Sequence, residues 1–387
     1  MIKILIVISD MKVGGIQKSL IELLKVLEKQ DEYDVTLFCS RLTGSYLKQV
    51  PKKIHILAEN PYAKASEQDL KACKNQGFKY YIFRLFSTVW SKLFGKGLPA
   101  KVLCRKIGMI GDSYDVAISY SQPIEDHEFC NLTNEIIIHC SKAKRKIAFI
   151  HCDYASYGGN TRRNRKLYYR FDAIAAVSDS VGRRFSHIIP DLSERIYTVY
   201  NFCDVDEIIR LSEIDSIEYS NPCVVTVARL SKEKGLLRCV PIFARLRDEG
   251  VIFEWHIVGD GNLYRVLSDL IATNNLNEQI VLEGEQTNPY RYIKNANYFF
   301  LPSSHEAAPM VFDEASSLGI PILTTNTLSS AELVSEKKIG FVCDNNEDGI
   351  YKMLYKALTL SLQHFEMMKP NQEISLQQFI CLCNGTR

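Results

Sequence analysis

A chain of 387 residues is too long for one hydrophobic core and has a natural length for two domains. Its hydrophobic content of 46% and charged content of 24% are ordinary for a globular protein, and its apolar runs are too short to span a bilayer. The twelve cysteines lack the paired spacing of a zinc site, which indicates free thiols in a reducing, cytoplasmic compartment.

The formal net charge of +2 is unevenly distributed along the chain. Residues 1–200 carry 31 Lys and Arg against 20 Asp and Glu, whereas the remainder carries 16 basic against 25 acidic side chains. The two halves therefore present different surfaces, at +11 and −9. A basic half favours a phosphate, a nucleic acid or an anionic lipid as its partner.

Strand-like apolar runs alternate with amphipathic helical segments along the whole chain, which predicts an α/β fold of parallel sheets with crossover helices. The predicted strands of the first half are 3–9, 33–39, 53–57, 114–119, 146–151, 173–178 and 196–201, and those of the second half are 223–229, 254–259, 279–284, 297–303 and 320–325. Because ligands of such sheets lie at the carboxyl ends of strands, we expect the site in the loops that follow these runs.

The domain boundaries follow from a polar, acidic stretch at 202–220, which is predicted to be an interdomain linker. It separates an N-terminal Rossmann-like domain at 1–201 from a C-terminal one at 221–368. The tail 369–387 begins at Lys369-Pro370 and is predicted to cross back, in part, to the first domain.

Gly14 and Gly15 follow the first predicted strand and precede an amphipathic helix. Glycines there let backbone amides approach a ligand, and a helix N-terminus favours an anion. The GxGxxG fingerprint is missing and no acidic residue ends the second strand, so a dinucleotide cofactor is disfavoured. A tight turn without a ligand is the other interpretation.

Residues 71–106 hold nine Lys or Arg, seven aromatic residues and no Asp or Glu. Within this segment Ile82, Phe86, Val89 and Leu93 recur at helical spacing, as in an amphipathic helix lying on an anionic bilayer. A helix packed on its own domain with a solvated basic face is an alternative, and a nucleic-acid surface is another. The second basic run, 142–146, leads straight into a strand and is a poor nucleic-acid signal.

Two further motifs precede the predicted second domain. His151 ends the strand at 146–151, a position open to a structural or a functional role. Asp204 and Asp206 form a DxD pattern that a metal site would use, although an acidic linker explains them more simply.

In the second half, Arg229 ends the strand at 223–229 and Lys234 precedes Gly235, where the next helix is predicted to begin. Two cations at a strand end beside a helix N-terminus suit a diphosphate, while solvated side chains are the alternative. Gly259 begins a Gly-Asp-Gly turn after the next strand, and this turn is compatible with close approach of a ligand.

Glu306 and Glu314 lie eight positions apart in an otherwise apolar segment. Glu306 is predicted in the loop before a helix that begins near Pro309 and ends at Gly319, and Glu314 in its second turn. Because this spacing does not place them on one helical stripe, we expect them to reach different parts of one elongated ligand. Surface exposure of both acids is the alternative, which the apolar flanks disfavour.

These segments, in this order, resemble a family 4 glycosyltransferase of the GT-B fold. The strongest similarity lies in VARLSKEKG (227–235), IVGDGNL (257–263), SSHEAAPMVFDEASSLGIPILTT (303–325) and GFVCD (340–344). In the first half the glycine pair and the strand end at His151 match more weakly. The resemblance implies two Rossmann-like doubly wound domains facing across a cleft.

Residue by residue, the resemblance implies a donor site. Arg229 and Lys234 would hold the diphosphate of a nucleotide sugar, Glu314 the ribose hydroxyls and Glu306 the transferred sugar. His151 would lie near the reacting sugar, with the glycine pair on the diphosphate and acceptor side. The backbone that would cradle the sugar or phosphate comprises Ala307, Ala308, Pro309 and Met310, and here Ala307 replaces the usual glycine of the family.

The resemblance implies transfer from a UDP-sugar or GDP-sugar with retention of anomeric configuration, and no metal or cofactor is expected because two cations can neutralise the leaving group. The acceptor would be a saccharide or polyprenyl-linked molecule in surface-polysaccharide synthesis, at the inner face of the cell membrane and without nucleic acid. A sugar-nucleotide epimerase on the same fold is an alternative, although it would require more acids and histidines. A non-catalytic subunit is another, which the four retained charged residues disfavour.

Overall fold

The computed structural model describes residues 1–156, 158–360, 365 and 369–386. The strands of these residues are β1 (Ile2–Ile8), β2 (Tyr33–Cys39), β3 (His55–Ile56), β4 (Tyr114–Ser119), β5 (Ala143–Ile150), β6 (Ala173–Ala176), β7 (Ile196–Thr198), β8 (Cys223–Val227), β9 (Glu254–Val258), β10 (Ile280–Gly284), β11 (Tyr298–Leu301), β12 (Ile322–Thr325) and β13 (Gly340–Cys343). The helices are α1 (Gly15–Glu28), α2 (Pro61–Ser66), α3 (Leu70–Gln76), α4 (Phe78–Phe94), α5 (Gly97–Ile107), α6 (Thr133–Cys140), α7 (Arg162–Tyr168), α8 (Asp179–Ile188), α9 (Val205–Ser212), α10 (Val240–Asp248), α11 (Tyr264–Thr273), α12 (Tyr290–Ile293), α13 (Met310–Ser317), α14 (Glu347–Thr359) and α15 (Gln372–Asn384).

The chain divides into two compact units, each built on one parallel sheet. The first unit comprises 1–202 with 373–387, and its seven strands run in the order β3-β2-β1-β4-β5-β6-β7. The second comprises 203–372, with the order β10-β9-β8-β11-β12-β13. Each order starts in the middle and reverses direction once, which is the arrangement of a doubly wound sheet. The predicted α/β class is confirmed.

Burial on both faces explains why the central strands are nearly continuous apolar runs. Residues 4–8 of β1 are fully buried, and Ile4, Ile6 and Ile8 share a core cluster with the leucines of α1. In the second unit, Trp255 of β9 packs against Phe243 of α10, with ring centroids 4.5 Å apart. These cores fix the positions of the strand ends, from which the loops of the site emerge.

The last helix belongs to the core of the first unit. Phe379, Leu382 and Cys383 of α15 are buried in the same cluster as β1 and α1. Arg145 of β5 donates a hydrogen bond from Nε to the carbonyl oxygen of Leu382 at 2.8 Å. The carboxy-terminal residues are therefore part of the first unit, whereas the predicted boundary at 368 lies outside the described residues.

The structure differs from the sequence-based expectation at three elements. The helix expected to begin at Gly235 begins at Val240, and Gly235 instead ends a 3₁₀ turn at Lys232–Lys234. The stretch 202–220, expected to be a linker, contains α9, which lies in the second unit and packs against α12 and α13. Strand β13 was not predicted, although each of the twelve predicted strands overlaps an observed one. Among the described residues, no helix combines the length and apolar character needed to cross a bilayer.

Candidate functional site

The strand order of each sheet reverses at one point, and doubly wound sheets bind ligands beyond the carboxyl ends of the strands there. This point lies between β1 and β4 in the first unit, and between β8 and β11 in the second. Lys234 follows β8, Glu306 follows β11, and Gly14 follows β1. Predicted site residues thus lie at the reversal point of both sheets.

Lys234 and Glu306 are in direct contact. The ammonium Nζ of Lys234 lies 2.5 Å from Oε1 of Glu306, and the hydroxyl of Ser303 donates to the same oxygen at 2.7 Å. The two charged side chains are 21% and 12% exposed, so solvent screens this pair less than a surface pair. The structure therefore brings together two predicted residues that lie 72 positions apart in the chain.

A glycine allows the two loops to approach each other. Gly235 has a left-handed φ of 69°, and a Cβ atom there would lie 2.2 Å from the carbonyl oxygen of Pro302. On the other side of Lys234, the carbonyl oxygen of Glu233 accepts a hydrogen bond from the N–H of Ser304 at 2.7 Å. Backbone contacts on both sides of Lys234 thus determine its distance from Glu306.

Two polar residues that the sequence did not predict support the loop after β11. Nη2 of Arg238 donates to the carbonyl oxygen of Pro302 at 2.8 Å and to Oδ1 of Asn345 at 2.6 Å. Nδ2 of Asn345 donates in turn to the carbonyl oxygen of Ser304 at 3.1 Å. Their partners are distant in sequence, and no spacing pattern signals the contacts.

Glu314 lies in the second turn of α13, as predicted, and its side chain is buried with 2% exposure. Pro309 adopts an extended conformation as the N-cap residue, one position before the predicted helical turn, and Met310 is the first helical residue. The neighbouring Asp313 has a pKa raised to about 6, mainly by burial; Lys337 opposes this rise and Glu314 adds to it.

Arg229 and Gly259 lie at the ends of the adjacent strands β8 and β9. Arg229 is exposed two residues beyond β8. Gly259 has a φ of 138°, and a Cβ atom there would lie 2.0 Å from the carbonyl oxygen of Ala228. This backbone contact alone requires a glycine, so the residue is explained without a ligand.

In the first unit, Gly14 and Gly15 begin α1. Gly14 is the extended N-cap residue, and its carbonyl oxygen accepts a hydrogen bond from the N–H of Lys18 at 2.9 Å. A Cβ atom on Gly15 would meet no other atom within 4 Å. Packing within the first unit therefore does not explain the glycine at position 15.

The side chain of His151 is fixed by the segment that follows β4. Its Nε2 lies 2.8 Å from the carbonyl oxygen of Tyr120, which can only accept, so Nε2 carries the proton. The ring also stacks on Phe149, with centroids 5.6 Å apart. Burial lowers the pKa of His151 to about 4, against the opposing effect of the Tyr120 carbonyl, so the imidazole is neutral at pH 7.

Gln122 and Asn131, which the sequence analysis missed, lie next to His151 in this network. Oε1 of Gln122 accepts a hydrogen bond from the backbone N–H of His151 at 3.0 Å, and the carbonyl oxygen of Gln122 accepts one from Nδ2 of Asn131 at 2.5 Å. Both residues lie in the irregular loop between β4 and α6, where no periodicity identifies functional residues.

The helix α4 has an unusual distribution of apolar and polar side chains. Its buried residues include the small polar side chains of Ser87 and Ser91, whereas most of its exposed residues are apolar. The exposed apolar residues of this helix, named here the α4 stripe, are Phe78, Ile82, Phe86, Val89, Leu93 and Phe94. The predicted helical spacing is thus observed, with its apolar face towards solvent.

The basic segment 71–106 does not present all nine cations to solvent. Nη1 of Arg84 donates to the carbonyl oxygens of Ser66, at 2.7 Å, and Phe129. Lys96 is fully buried, and its Nζ donates to the carbonyl oxygen of Glu125 at 2.8 Å. The seven exposed cations are Lys71, Lys74, Lys79, Lys92, Lys101, Arg105 and Lys106.

In the described part of the chain, no group of three or more His, Cys, Asp or Glu side chains has the arrangement of a metal site. The DxD pattern has a structural role. Oδ1 of Asp204 accepts a hydrogen bond from the N–H of Glu207 at 3.1 Å and caps α9.

Comparisons with known proteins support the fold and the resemblance to glycosyltransferases. Residues 210–373 match the family model Glycosyl transferases group 1, which covers most of the second unit. The putative colanic acid biosynthesis glycosyltransferase WcaL of Escherichia coli is 31% identical over 134 residues, 32% of each chain. This chain spans about half, or less, of the length of the first curated relatives that it matches.

Solved structures match the whole chain in fold. The lipopolysaccharide outer core galactosyltransferase WaaB gives a TM-score of 0.66 at 16% identity, covering 100% of this chain and 99% of that one. HepE of Anabaena, solved in complex with UDP and glucose, gives 0.65 at 15% identity, covering 100% and 98%. The predicted GT-B architecture and the resemblance to glycosyltransferases are confirmed.

Proposed function

We propose that the protein is a glycosyltransferase that moves a sugar from a nucleoside diphosphate to a saccharide or lipid-linked acceptor. The contact between Lys234 and Glu306 at the reversal point of the second sheet carries the proposal. Lys234 offers a positive charge to the diphosphate, and Glu306 offers a hydrogen-bond acceptor to a sugar hydroxyl. Because the diphosphate and the sugar are adjacent in such a donor, one donor can contact both side chains.

Transfer breaks the bond between the anomeric carbon and a phosphate oxygen, so negative charge develops on the departing nucleoside diphosphate. Lys234 and Arg229 supply two positive charges, and the N-terminus of α13 adds backbone N–H groups and a helix dipole. Groups fixed in advance stabilise this charge more in the transition state than in the ground state. With two cations on the leaving group, we propose that transfer does not depend on a divalent metal.

The two glutamates bind hydroxyl groups at different parts of the donor. Glu314, held rigidly inside α13, would accept hydrogen bonds from the ribose hydroxyls. Glu306 would bind a hydroxyl of the transferred sugar. Its contact with Lys234 would weaken, because Lys234 would then also contact the diphosphate. Ala307, which follows Glu306 and is buried, stands where the family usually has glycine, and we propose that its methyl group affects the choice of sugar.

We propose that His151 binds a hydroxyl of the transferred sugar, and that the backbone of Gly14 and Gly15 binds the diphosphate and acceptor. We propose that the anomeric configuration is retained because the acceptor attacks from the same face of the sugar from which the leaving group departs. The acceptor oxygen forms the new bond to the anomeric carbon, and its proton passes to the departing phosphate oxygen. This route requires no enzyme nucleophile.

The donor class is UDP-sugar or GDP-sugar, and the complex of HepE with UDP and glucose supports testing UDP first. The similarity to WcaL supports a role in bacterial surface-polysaccharide synthesis.

The decisive experiment incubates the protein with UDP-, GDP- and ADP-sugars, with and without a chelator, and follows thermal stability and product. We expect stabilisation by one donor class regardless of chelator, and NMR of the glycoside should give the anomer of the donor. Inversion, or loss of activity with chelator, would refute that part of the proposal.

We also propose that the α4 stripe lies on an anionic membrane, where a lipid-linked acceptor is found. Phe78, Leu93 and Phe94 are each more than 60% exposed, and the seven exposed cations of segment 71–106 have no acidic residue among them. Aromatic side chains enter the headgroup region while Lys and Arg attract anionic lipids, which favours a bilayer over a neutral protein partner.

The membrane proposal is tested by cosedimentation with vesicles of phosphatidylcholine alone and with phosphatidylglycerol. We expect binding only to the anionic vesicles, and its loss in a variant combining Ile82→Ser, Phe86→Ser and Leu93→Ser. Val266→Ser, which removes an exposed apolar side chain from the second unit, is the matched control and should bind normally. Equal binding by the triple variant would exclude the α4 stripe as the membrane contact.

A further inference from the structure

His151 is held at two points by one short segment after β4. Its ring donates through Nε2 to the carbonyl oxygen of Tyr120, and its backbone N–H donates to Oε1 of Gln122. The same Oε1 accepts the N–H of Cys152 at 3.2 Å. Since backbone N–H groups can only donate, these two bonds determine which end of the Gln122 amide faces the turn after β5.

Asn131 connects Gln122 to two further elements. Its Nδ2 donates to the carbonyl oxygen of Gln122, its Oδ1 accepts from the hydroxyl of Ser9 at 2.8 Å, and its N–H donates to Oε1 of Glu67 at 2.9 Å. Ser9 follows β1 and Glu67 caps the end of α2. One side chain with its own backbone thus ties β1, α2 and the loop after β4 together.

The conformations of these two residues are costly. Asn131 has a left-handed φ of 52°, a conformation that asparagine adopts more readily than other non-glycine residues but still at a cost relative to glycine. Gln122 is 1% exposed, and its Nε2 has no hydrogen-bond partner among the described residues. Strained residues and unsatisfied buried groups in native proteins are concentrated near functional sites. Here both belong to the hydrogen-bond network around His151.

We propose that Gln122 and Asn131 are positioning residues: they hold the turn after β5 against the Tyr120 carbonyl, which fixes His151 as the Nε2–H tautomer and leaves Nδ1 available to accept a hydrogen bond from a substrate hydroxyl. This inference rests on the proposed transfer reaction, in which His151 contacts the sugar. Burial, which keeps the imidazole neutral, preserves the lone pair of Nδ1 at the pH of a cell.

The first test measures the tautomer directly, without turnover. Nitrogen-15 NMR of the imidazoles, assigned with His151→Gln, should find the Nε2–H form of His151 in the wild type and a mixture of tautomers in Gln122→Met and Asn131→Gly. Glycine suits a positive φ, so Asn131→Gly removes the side-chain links without backbone strain. Asn275→Gly, at an exposed asparagine of the second unit with a φ of 54°, is the matched control.

The second test separates positioning from a purely structural role. Gln122→Glu keeps an oxygen for the two N–H groups but buries a carboxylate, whereas Gln122→Met keeps the shape and loses the oxygen. We expect Gln122→Glu to have a lower melting temperature than Gln122→Met but a higher kcat. In Gln122→Met and Asn131→Gly, kcat should fall about 10- to 100-fold below the wild type, while UDP affinity is unchanged. A kcat that follows the melting temperature would overturn the inference.

The two tests distinguish failure of this inference from failure of the proposed function. If the wild type transfers no sugar from any donor, the proposed function fails, while the NMR comparison still decides whether Gln122 and Asn131 set the tautomer. If transfer occurs and both variants retain the wild-type tautomer, the positioning role is wrong.

Discussion

Glu306 and Glu314 are separated by eight positions, yet their surroundings differ. Glu306 lies in a loop, in contact with the ammonium of Lys234 and the hydroxyl of Ser303. Glu314 lies inside a helix and is almost completely buried. The loop position allows a change of partner when a donor binds, whereas the helical position offers a fixed acceptor.

This difference predicts a separation of effects in the two isosteric variants. Glu314→Gln should weaken binding of UDP itself about tenfold or more, because the carboxylate that we propose accepts the ribose hydroxyls becomes a neutral amide. Glu306→Gln should leave UDP affinity nearly unchanged and lower kcat for transfer. Calorimetric titration and initial rates measure the two quantities. Glu336→Gln, at an exposed position of the second unit, is the control, and equal UDP affinities in all three variants would contradict the assignment.

Asp313 gives a prediction about pH. Burial raises the pKa of its carboxyl from 3.8 to about 6, so the folded protein holds this proton more tightly than the unfolded chain does. Stability is therefore lost as the pH rises from about 4 through 6. Asp313→Asn should melt a few degrees higher than the wild type at pH 7, and this gain should disappear below about pH 4. A gain that is the same at both pH values would contradict the burial of an ionised carboxylate.

The sequence predicted individual residues where a charged side chain follows a buried strand. Lys234 and Glu306 were identified in this way, because the end of a parallel strand is a known place for a ligand. Gln122 and Asn131 follow no such rule. Their importance arises from hydrogen bonds to partners 29 and 122 positions away, which only the folded chain brings together.

At the scale of elements, the approach of the loops after β8 and β11 depends on a glycine as well as on side chains. Gly235 combines a left-handed φ of 69° with close contact to the carbonyl oxygen of Pro302. Gly250 has a similar φ of 82°, but a Cβ atom there would meet no other atom within 4 Å. An alanine at Gly250 would therefore add backbone strain alone, whereas an alanine at Gly235 would add both backbone strain and a steric clash.

Gly235→Ala should lower the melting temperature more than Gly250→Ala and should weaken UDP binding, because the displaced loop separates Lys234 from Glu306. Gly250→Ala carries the strain of a positive φ alone and should leave UDP affinity unchanged. Thermal unfolding and calorimetric titration of both variants test this. Identical UDP affinities would mean that the loop contact does not position Lys234.

The elements that the sequence did not predict are short. Strand β13 has four residues, as β12 beside it does, but it begins with a glycine and its only β-branched residue is Val342, whereas three of the four residues of β12 are β-branched. Helix α9 has eight residues and begins within an acidic stretch, where a capping aspartate resembles a linker residue. Tertiary packing against α12 and α13 stabilises it, and local periodicity does not report such contacts.

At the scale of the whole molecule, the chain ends in the unit in which it begins. Phe379 and Leu382 of α15 are fully buried in the first core, and each contributes about 1.5–3 kcal/mol by removal from water. Oε1 of Gln378 also accepts a hydrogen bond from the N–H of Tyr200 at 3.1 Å. The first unit is therefore incomplete without the last helix.

Truncation after residue 371 should destabilise the first unit and leave UDP binding by the second unit intact. Differential scanning calorimetry with and without UDP identifies the transition of the second unit by its shift with ligand. Truncation after residue 385, which retains α15, is the control and should behave as the full chain. Loss of UDP binding in the shorter truncation would mean that the second unit does not fold independently of α15.

The central claim is that the second unit binds a nucleoside diphosphate through Lys234. Calorimetric titration of the full chain with UDP and GDP in the presence of a chelator tests it most directly, comparing Lys234→Ala with Lys232→Ala, an exposed cation of the same turn. We predict that one nucleotide binds the wild type and Lys232→Ala alike, and Lys234→Ala about 10- to 100-fold more weakly. Equal affinity in all three proteins, or no binding of either nucleotide by the wild type, would contradict the claim.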